Sequence, residues 1–303
     1  MIVAIILFGA AGCLKESPEK ALKKMIQAMA KVDSVYPEIK LWVNGQFPQL
    51  TSFDFSETKF YPGTIILDLK GDLGLKKNTE FDLTGSGKYR LLDSEIEFNG
   101  ELLYQAGLLY LKLTKVPELK LVDLAALKNN WYKFDFAALG LASNLTKTEE
   151  KLNEKKNKEL RQIIEKTNFF KVLADEGIDT VNFEECRRFR VQLNHEEMFK
   201  FMEQATEIIE EREIDDVEKE VLKNNLAKLN DVEFRVWVGR DDYRLYRLEF
   251  GLTTETKEHG AMRYDVALNF SGYNKVINIE KPQDVRDFNM LEIFAGGEAE
   301  AEE

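Results

Sequence analysis

The spacing of apolar residues changes several times along this chain, and each change predicts a different kind of element. Residues 1–12, Met-Ile-Val-Ala-Ile-Ile-Leu-Phe-Gly-Ala-Ala-Gly, form an uncharged run that narrows to small side chains and stops at Cys13. Ser17-Pro18 follows as a helix start, a hydroxyl cap and then a proline whose fixed φ suits the first turn. Leu22, Met25, Ile26 and Met29 recur behind it at helical spacing, so an amphipathic helix over 17–33 is expected, docked by that stripe.

From Ile39 to Phe136 the period becomes two. The runs are Ile39, Leu41, Val43; Ile65, Leu67, Leu69; Phe81, Leu83; Ile96, Phe98; Leu109, Leu111, Leu113; and Tyr132, Phe134, Phe136, with largely polar partners between. Pro62-Gly63, Gly71, Gly85-Ser86-Gly87, Asn99-Gly100 and Gly107 read as punctuation. The pattern predicts a meander of about six or seven antiparallel strands with one wet face.

Residues 144–176 turn helical in composition, with Thr146 and Glu149 spaced as a capping box and Leu160, Ile163, Ile164 and Thr167 as the packing stripe. A strand over Thr180–Leu193 is expected next, carrying Val181, Phe183, Phe189, Val191 and Leu193 on one parity. Asn194 with Glu197 then opens a helical pair reaching about Leu229, whose first member presents Met198, Met202, Ala205 and Ile209, and whose second is capped by Asp215 and Glu218. Period two returns in Val232–Val238, Tyr246–Leu252 and Met262–Phe270, and a short strand is expected over Val276–Ile279. Without a linker rich in proline, glycine or serine, residues 17–294 read as a single α+β domain, and 295–303 as a disordered acidic tail.

The first run looks like a lipoprotein signal peptide, with Ala10-Ala11-Gly12-Cys13 as the lipobox, cleavage between Gly12 and Cys13, and Cys13 the lipidation site. Twelve residues rise only about 18 Å as a helix, short of a ~30 Å hydrocarbon core, so spanning is the weaker reading. No Lys or Arg precedes Leu14; an initiator upstream of Met1 would supply the missing positive start. Residues 13–16 would then be the lipidated tether, placing the body close to an extracytoplasmic membrane face.

Charge and rare residues narrow the function. The 303-residue chain carries a formal net charge of −12, which repels phosphate backbones and argues against nucleic acid and against a polybasic membrane contact. Only Cys13 and Cys186 are present, so no disulfide framework exists once Cys13 is acylated. His195 opens Asn194-His195-Glu196-Glu197-Met198-Phe199, where Phe199 stands in place of the second histidine of a zinc-peptidase motif. Gly85-Ser86-Gly87 is too short for a phosphate cradle, and no Gly-x-Ser-x-Gly elbow occurs. No catalytic residue, metal or cofactor is expected.

Asn130-Trp131-Tyr132-Lys133-Phe134, Glu233-Phe234-Arg235-Val236-Trp237-Val238-Gly239-Arg240-Asp241, Phe270-Ser271-Gly272-Tyr273-Asn274 and Ile279-Glu280-Lys281-Pro282 add a local texture to the element order. With the lipobox, these resemble the LolA-like superfamily, in its LppX/LprG type of envelope lipoproteins. The resemblance implies a curved antiparallel sheet, an open half-barrel, covered by helices over an apolar hollow, and a non-catalytic carrier of lipids or lipidated proteins. The hollow would be lined by Met25, Met29, Leu41, Leu67, Leu69, Phe81, Leu83, Phe98, Leu111, Phe134, Phe183, Val191, Met198, Met202, Phe234, Val236, Leu248, Phe250 and Leu268. The alternative is a lipid-tethered structural or protein-binding domain whose core is fully packed.

Overall fold

The computed structural model describes residues 16–48, 60–75, 79–117, 124–135, 154–256 and 260–287. The leader with Cys13, the Thr146–Glu149 pair, Phe136, His259 and the acidic tail lie outside these residues. What is described is α+β: one open sheet of twelve strands carrying four α-helices.

The first half of the sheet is a meander of β1 (Ser34–Pro48), β2 (Phe60–Gly74), β3 (Glu80–Leu91), β4 (Ser94–Gln105), β5 (Leu108–Lys115) and β6 (Trp131–Asp135). The second is β7 (Phe170–Val181), β8 (Glu184–Leu193), β9 (Glu233–Gly239), β10 (Leu245–Thr256) and β11 (Gly260–Ser271). Antiparallel pairing of β1 with β11 joins the halves, and β12 (Val285–Asp287) adds a parallel edge beside β6. The order is β12-β6-β5-β4-β3-β2-β1-β11-β10-β9-β8-β7, so the edges β12 and β7 are not paired with each other.

Register turns the period-two pattern into two faces. Leu41 stands opposite Leu67, Leu67 opposite Gly87, and Gly87 opposite Phe98. In the other direction Leu41 faces Val266, Val266 faces Phe250, Phe250 faces Phe234, and Phe234 faces Val191. Because side chains alternate across a strand, this row and its i±2 neighbours form one apolar face, here termed inner.

The strands run straight through most of the expected punctuation. Pro62-Gly63 and Gly71 lie inside β2, Gly85-Ser86-Gly87 inside β3, and Asn99-Gly100 inside β4; only Gly107 sits in a turn. Packing explains the glycines better than turn chemistry does. A Cβ on Gly87 would fall 2.0 Å from Phe98 Cζ, and one on Gly85 would fall 2.2 Å from Leu69 Cδ2. The neighbours' side chains lie across β3 in the space that its own side chains leave free.

Helix α1 (Pro18–Met29) starts as its sequence predicts, with Ser17 Oγ accepting from the Lys20 N–H at 3.3 Å. It buries Ala21, Leu22 and Met25 against Phe189, Val191, Val236 and Val238 on the inner face. Helix α2 (Glu154–Lys166) packs on α1 and on α3 (His195–Glu210), which in turn packs on α4 (Asp216–Ala227). The α3–α4 break is built by Glu211 in the left-handed region (φ 57°) and by a complete capping box. In that box Glu218 N–H donates to Asp215 Oδ1 at 2.8 Å and Asp215 N–H donates to Glu218 Oε2 at 3.1 Å.

Several expectations are corrected. The helical reading over 144–176 fails from Phe170 onward, where β7 begins; register shifts between Val172 and Ala174 and between Asp175 and Gly177 disrupt the alternation that marks a strand. The strand expected over Thr180–Leu193 is a hairpin turning at Asn182-Phe183, both in the left-handed region (φ 52° and 69°). Asn194 stands at the start of α3, but its side chain caps no helical N–H, and Glu197 pairs with Lys200 at 3.0 Å instead. Val276–Ile279 is not a strand. Residues 275–281 form a strap outside the sheet, where Ile279 and Ile277 pack on Leu103 and Tyr110 of the outer face. Its start is tied down by Asn274 N–H to Ser34 O (2.8 Å), Ser34 Oγ to Lys275 O (2.6 Å) and Asp33 N–H to Asn274 Oδ1 (2.7 Å).

Candidate functional site

The inner positions of β1 are Val35, Pro37, Ile39, Leu41, Val43, Gly45 and Phe47, and those of β3 are Phe81, Leu83, Gly85, Gly87, Tyr89 and Leu91. The matching positions of β2, β4, β6, β9, β10 and β11 carry no charged side chain from Ile65 to Leu69, Ile96 to Tyr104, Tyr132 to Phe134, Phe234 to Val238, Leu248 to Leu252 and Met262 to Phe270. Charge enters at β8 and β7, where Arg187 Nη2 meets Asp175 Oδ2 at 2.7 Å and the Arg187 guanidinium lies over the Phe189 ring at 4.9 Å.

This face is covered unevenly. Beneath α1 it is solid, with Met25, Val191 and Val236 no more than 2 % exposed, so these three belong to the packed core instead of lining a hollow. Met29, Phe234 and Leu248 pack against that cluster. A second buried cluster, Val43, Phe47 and Leu91, closes the far end of β1–β3, with Leu41, Ile65 and Tyr89 packed on it. Over the rest of this face runs a belt of half-buried apolar side chains: Leu67, Leu69, Phe81, Phe98, Leu111, Phe134, Phe250 and Leu268. Leu83 within it is buried, and Met198 and Met202 on α3 are half-buried.

Phe183 is the clear departure. It sits at the apex of the β7–β8 turn and is fully exposed, so it cannot line an interior. The reading of 180–193 as one strand put it on the parity of Val181 and Val191, and the turn removes it from that face. Conversely, Leu102, Tyr104, Leu109 and Leu113 share the inner parity and extend the belt toward β5. The same alternation, followed through Gly85 and Gly100, identifies them. Tyr104 stacks on Phe81 with ring centres 5.4 Å apart.

The outer face is ionic and aromatic. Lys40 pairs with Asp68 (3.4 Å) and Lys112 with Glu101 (2.7 Å); Glu97 receives Lys115 and Lys88, whose hydrogen bonds hold its carboxyl down to about 2. On β7–β10, Trp237 Nε1–H donates to Asp179 at 2.9 Å, and its ring lies 5.9 Å from the Arg188 guanidinium and 5.2 Å from that of Arg247. An open cleft of about 660 Å³ crosses this face, bordered by Trp42, Arg190, Arg235, Arg247, Glu249 and Arg263. Its charges of both signs neutralise one another locally.

Elements of metal or nucleophilic chemistry do not converge among the described residues. No group of three or more His, Cys, Asp or Glu side chains there could hold a metal ion. His195 is the first residue of α3, and both its ring nitrogens are buried without a hydrogen-bond partner. Cys186 is buried beside Val181, Trp237 and Tyr246, and burial pushes its thiol up to about 12, far from a nucleophile's range. No described helix is long and apolar enough to cross a membrane.

No family model matches the chain, and no curated protein does. Several chains of solved structures are similar to it. The lipoprotein LppX of Mycobacterium tuberculosis shares 10 % identity at a TM-score of 0.40, over 87 % of this chain and 100 % of its own. LprF from Mycobacterium bovis shares 12 % identity at a TM-score of 0.42, over 88 % of this chain and 98 % of its own.

Proposed function

We propose that this chain is an envelope lipoprotein, held on the extracytoplasmic face of a membrane by an acylated Cys13, that carries a lipid or acylated ligand on the inner face of its sheet without catalysis. The carrying observation is the belt from Phe250 and Leu268 through Leu67 and Phe98 to Leu111 and Phe134, which is uncharged and only half-buried. Such a surface gains from any hydrocarbon laid on it. At about 0.8 kcal/mol per buried methylene, a tail of about ten methylenes contributes roughly 8 kcal/mol before ordering costs. Gly85 and Gly87 favour this role, since the Leu69 and Phe98 side chains above them can shift without meeting a neighbouring Cβ.

Native mass spectrometry of residues 14–303, purified without detergent, should detect co-purified lipid, and a fluorescent fatty-acyl probe should bind saturably. Leu67→Trp should weaken that uptake more than it lowers the melting temperature. Absence of both bound lipid and saturable uptake would turn the assignment to a lipid-tethered protein-binding domain, a reading that the solid packing beneath α1 and the outer cleft around Trp42 favour. Mass analysis of the membrane-extracted protein and of Cys13→Ala tests the anchor independently.

A further inference from the structure

The most exposed aromatic side chain of the described residues stands where the fold gives it no return. Phe183 is 102 % exposed, so it touches nothing in the chain. Its backbone is left-handed (φ 69°), as is that of Asn182 (φ 52°), at the apex of a two-residue hairpin where glycine is the favoured second residue. A bulky side chain adopts that conformation against its own sterics. Two unfavourable features thus meet at one residue, and neither is offset within the folded chain.

Glu16, the last residue of the proposed tether, has a fixed place in the fold. Arg187 Nη1 donates to the backbone carbonyl of Glu16 at 2.5 Å, and the Glu16 carboxylate pairs with Lys24 Nζ at 2.8 Å. Glu16, the first described residue, is therefore held at the end of β8 that is nearest the β7–β8 turn. Phe183 lies four residues before Arg187, about 13 Å along a strand, and Cys13 lies three residues before Glu16, about 10 Å if extended. The same sheet end carries Val276, 100 % exposed in the loop after β11, and Leu75, 43 % exposed after β2, whose N–H bonds to Asp33 O. Tyr273, three residues before Val276, packs with Val181, Cys186 and Tyr246, which fixes that loop beside the hairpin.

We infer that this end of the sheet is a membrane-contact surface, with Phe183 and Val276 entering the interface of the bilayer that holds Cys13. A short tether alone would let the body tumble above the lipid; exposed apolar tips at the tether's exit give it one orientation. The formal charge of −12 leaves apolar contact as the means of attraction, so a zwitterionic surface suits it better than an anionic one.

This inference rests on the reading of Cys13 as the anchor, and the experiment keeps the two apart. In the full chain carrying Phe183→Cys, acylated Cys13 is blocked and Cys186 is buried, so a polarity-sensitive fluorophore labels position 183 alone. Reconstitution in phosphatidylcholine vesicles should shift its emission to the blue, raise its intensity and expose it to quenching by nitroxide-labelled lipid. The same dye at Leu92→Cys, in the β3–β4 turn at the opposite sheet end, should not respond. Val276→Cys is a second probe that should behave like position 183, should the first variant fail to fold. Failure of the protein to float with vesicles would sink the anchor reading only. In that event hexahistidine in place of residues 1–13, captured on nickel-chelating lipid, supplies the tether and decides the question. A dye at 183 and 276 that stays in water on tethered protein would overturn the membrane contact.

Discussion

At Gly87 a single added methyl would meet the Phe98 ring at 2.0 Å, in the middle of a strand flanked on both sides by paired neighbours. Gly87→Ala should therefore push Phe98 out of place and lower stability by about 1–3 kcal/mol, the range for overpacking, which urea denaturation would read. Acyl-probe uptake should fall with it, because the ring that moves is part of the belt. Alternation alone placed Leu41, Leu67, Leu69, Phe98 and Leu268 on one face correctly, since period two is a local property that register preserves. Gly85 and Gly87 misled for a physical reason. Glycine marks both turns and close approaches, and only the partner side chain, far away in sequence, distinguishes them.

Helix α4 shows how much one element depends on its termini. Arg212 holds the Glu218 carboxyl down to about 2 through a side-chain hydrogen bond, with the Asp215 N–H adding to it, against an ordinary value of 4.5. A depressed carboxyl contributes stability that is present above about pH 4.5 and lost as pH falls toward about 2. Melting temperature should thus decline across that window, and Glu218→Gln should flatten part of the decline; an unchanged profile would argue that the cap is idle. This cap was legible because its two partners are three residues apart. Strand β7 was not, because its bulges set Val172 and Ala174 out of step with their partners and removed the alternation on which recognition depends. The strap over Leu103 and Tyr110 was equally hidden, since Ile277 and Ile279 reach the sheet through tertiary contact and not through pairing.

Across the whole molecule, the sheet is two sequential meanders fused along one seam, β1 against β11. The α+β class and the presence of an apolar face follow from pattern, whereas the seam does not, because nothing in a strand's own sequence names a partner so distant. That seam governs the order in which the protein can be completed. Tyr36 and Ser271, hydrogen-bonded across it, are 235 positions apart, so a chain emerging from the ribosome can assemble β1 to β6 early and must then wait for its last strands. During that interval β1 is a long unpaired edge beside a greasy surface, the combination that invites association between molecules. A chain ended before Gly260 should accordingly precipitate or bind holding chaperones where the full chain stays dispersed, a difference that sedimentation after synthesis would register. Completion of this architecture is thus decided at the end of synthesis, since the strands that silence β1 are made last.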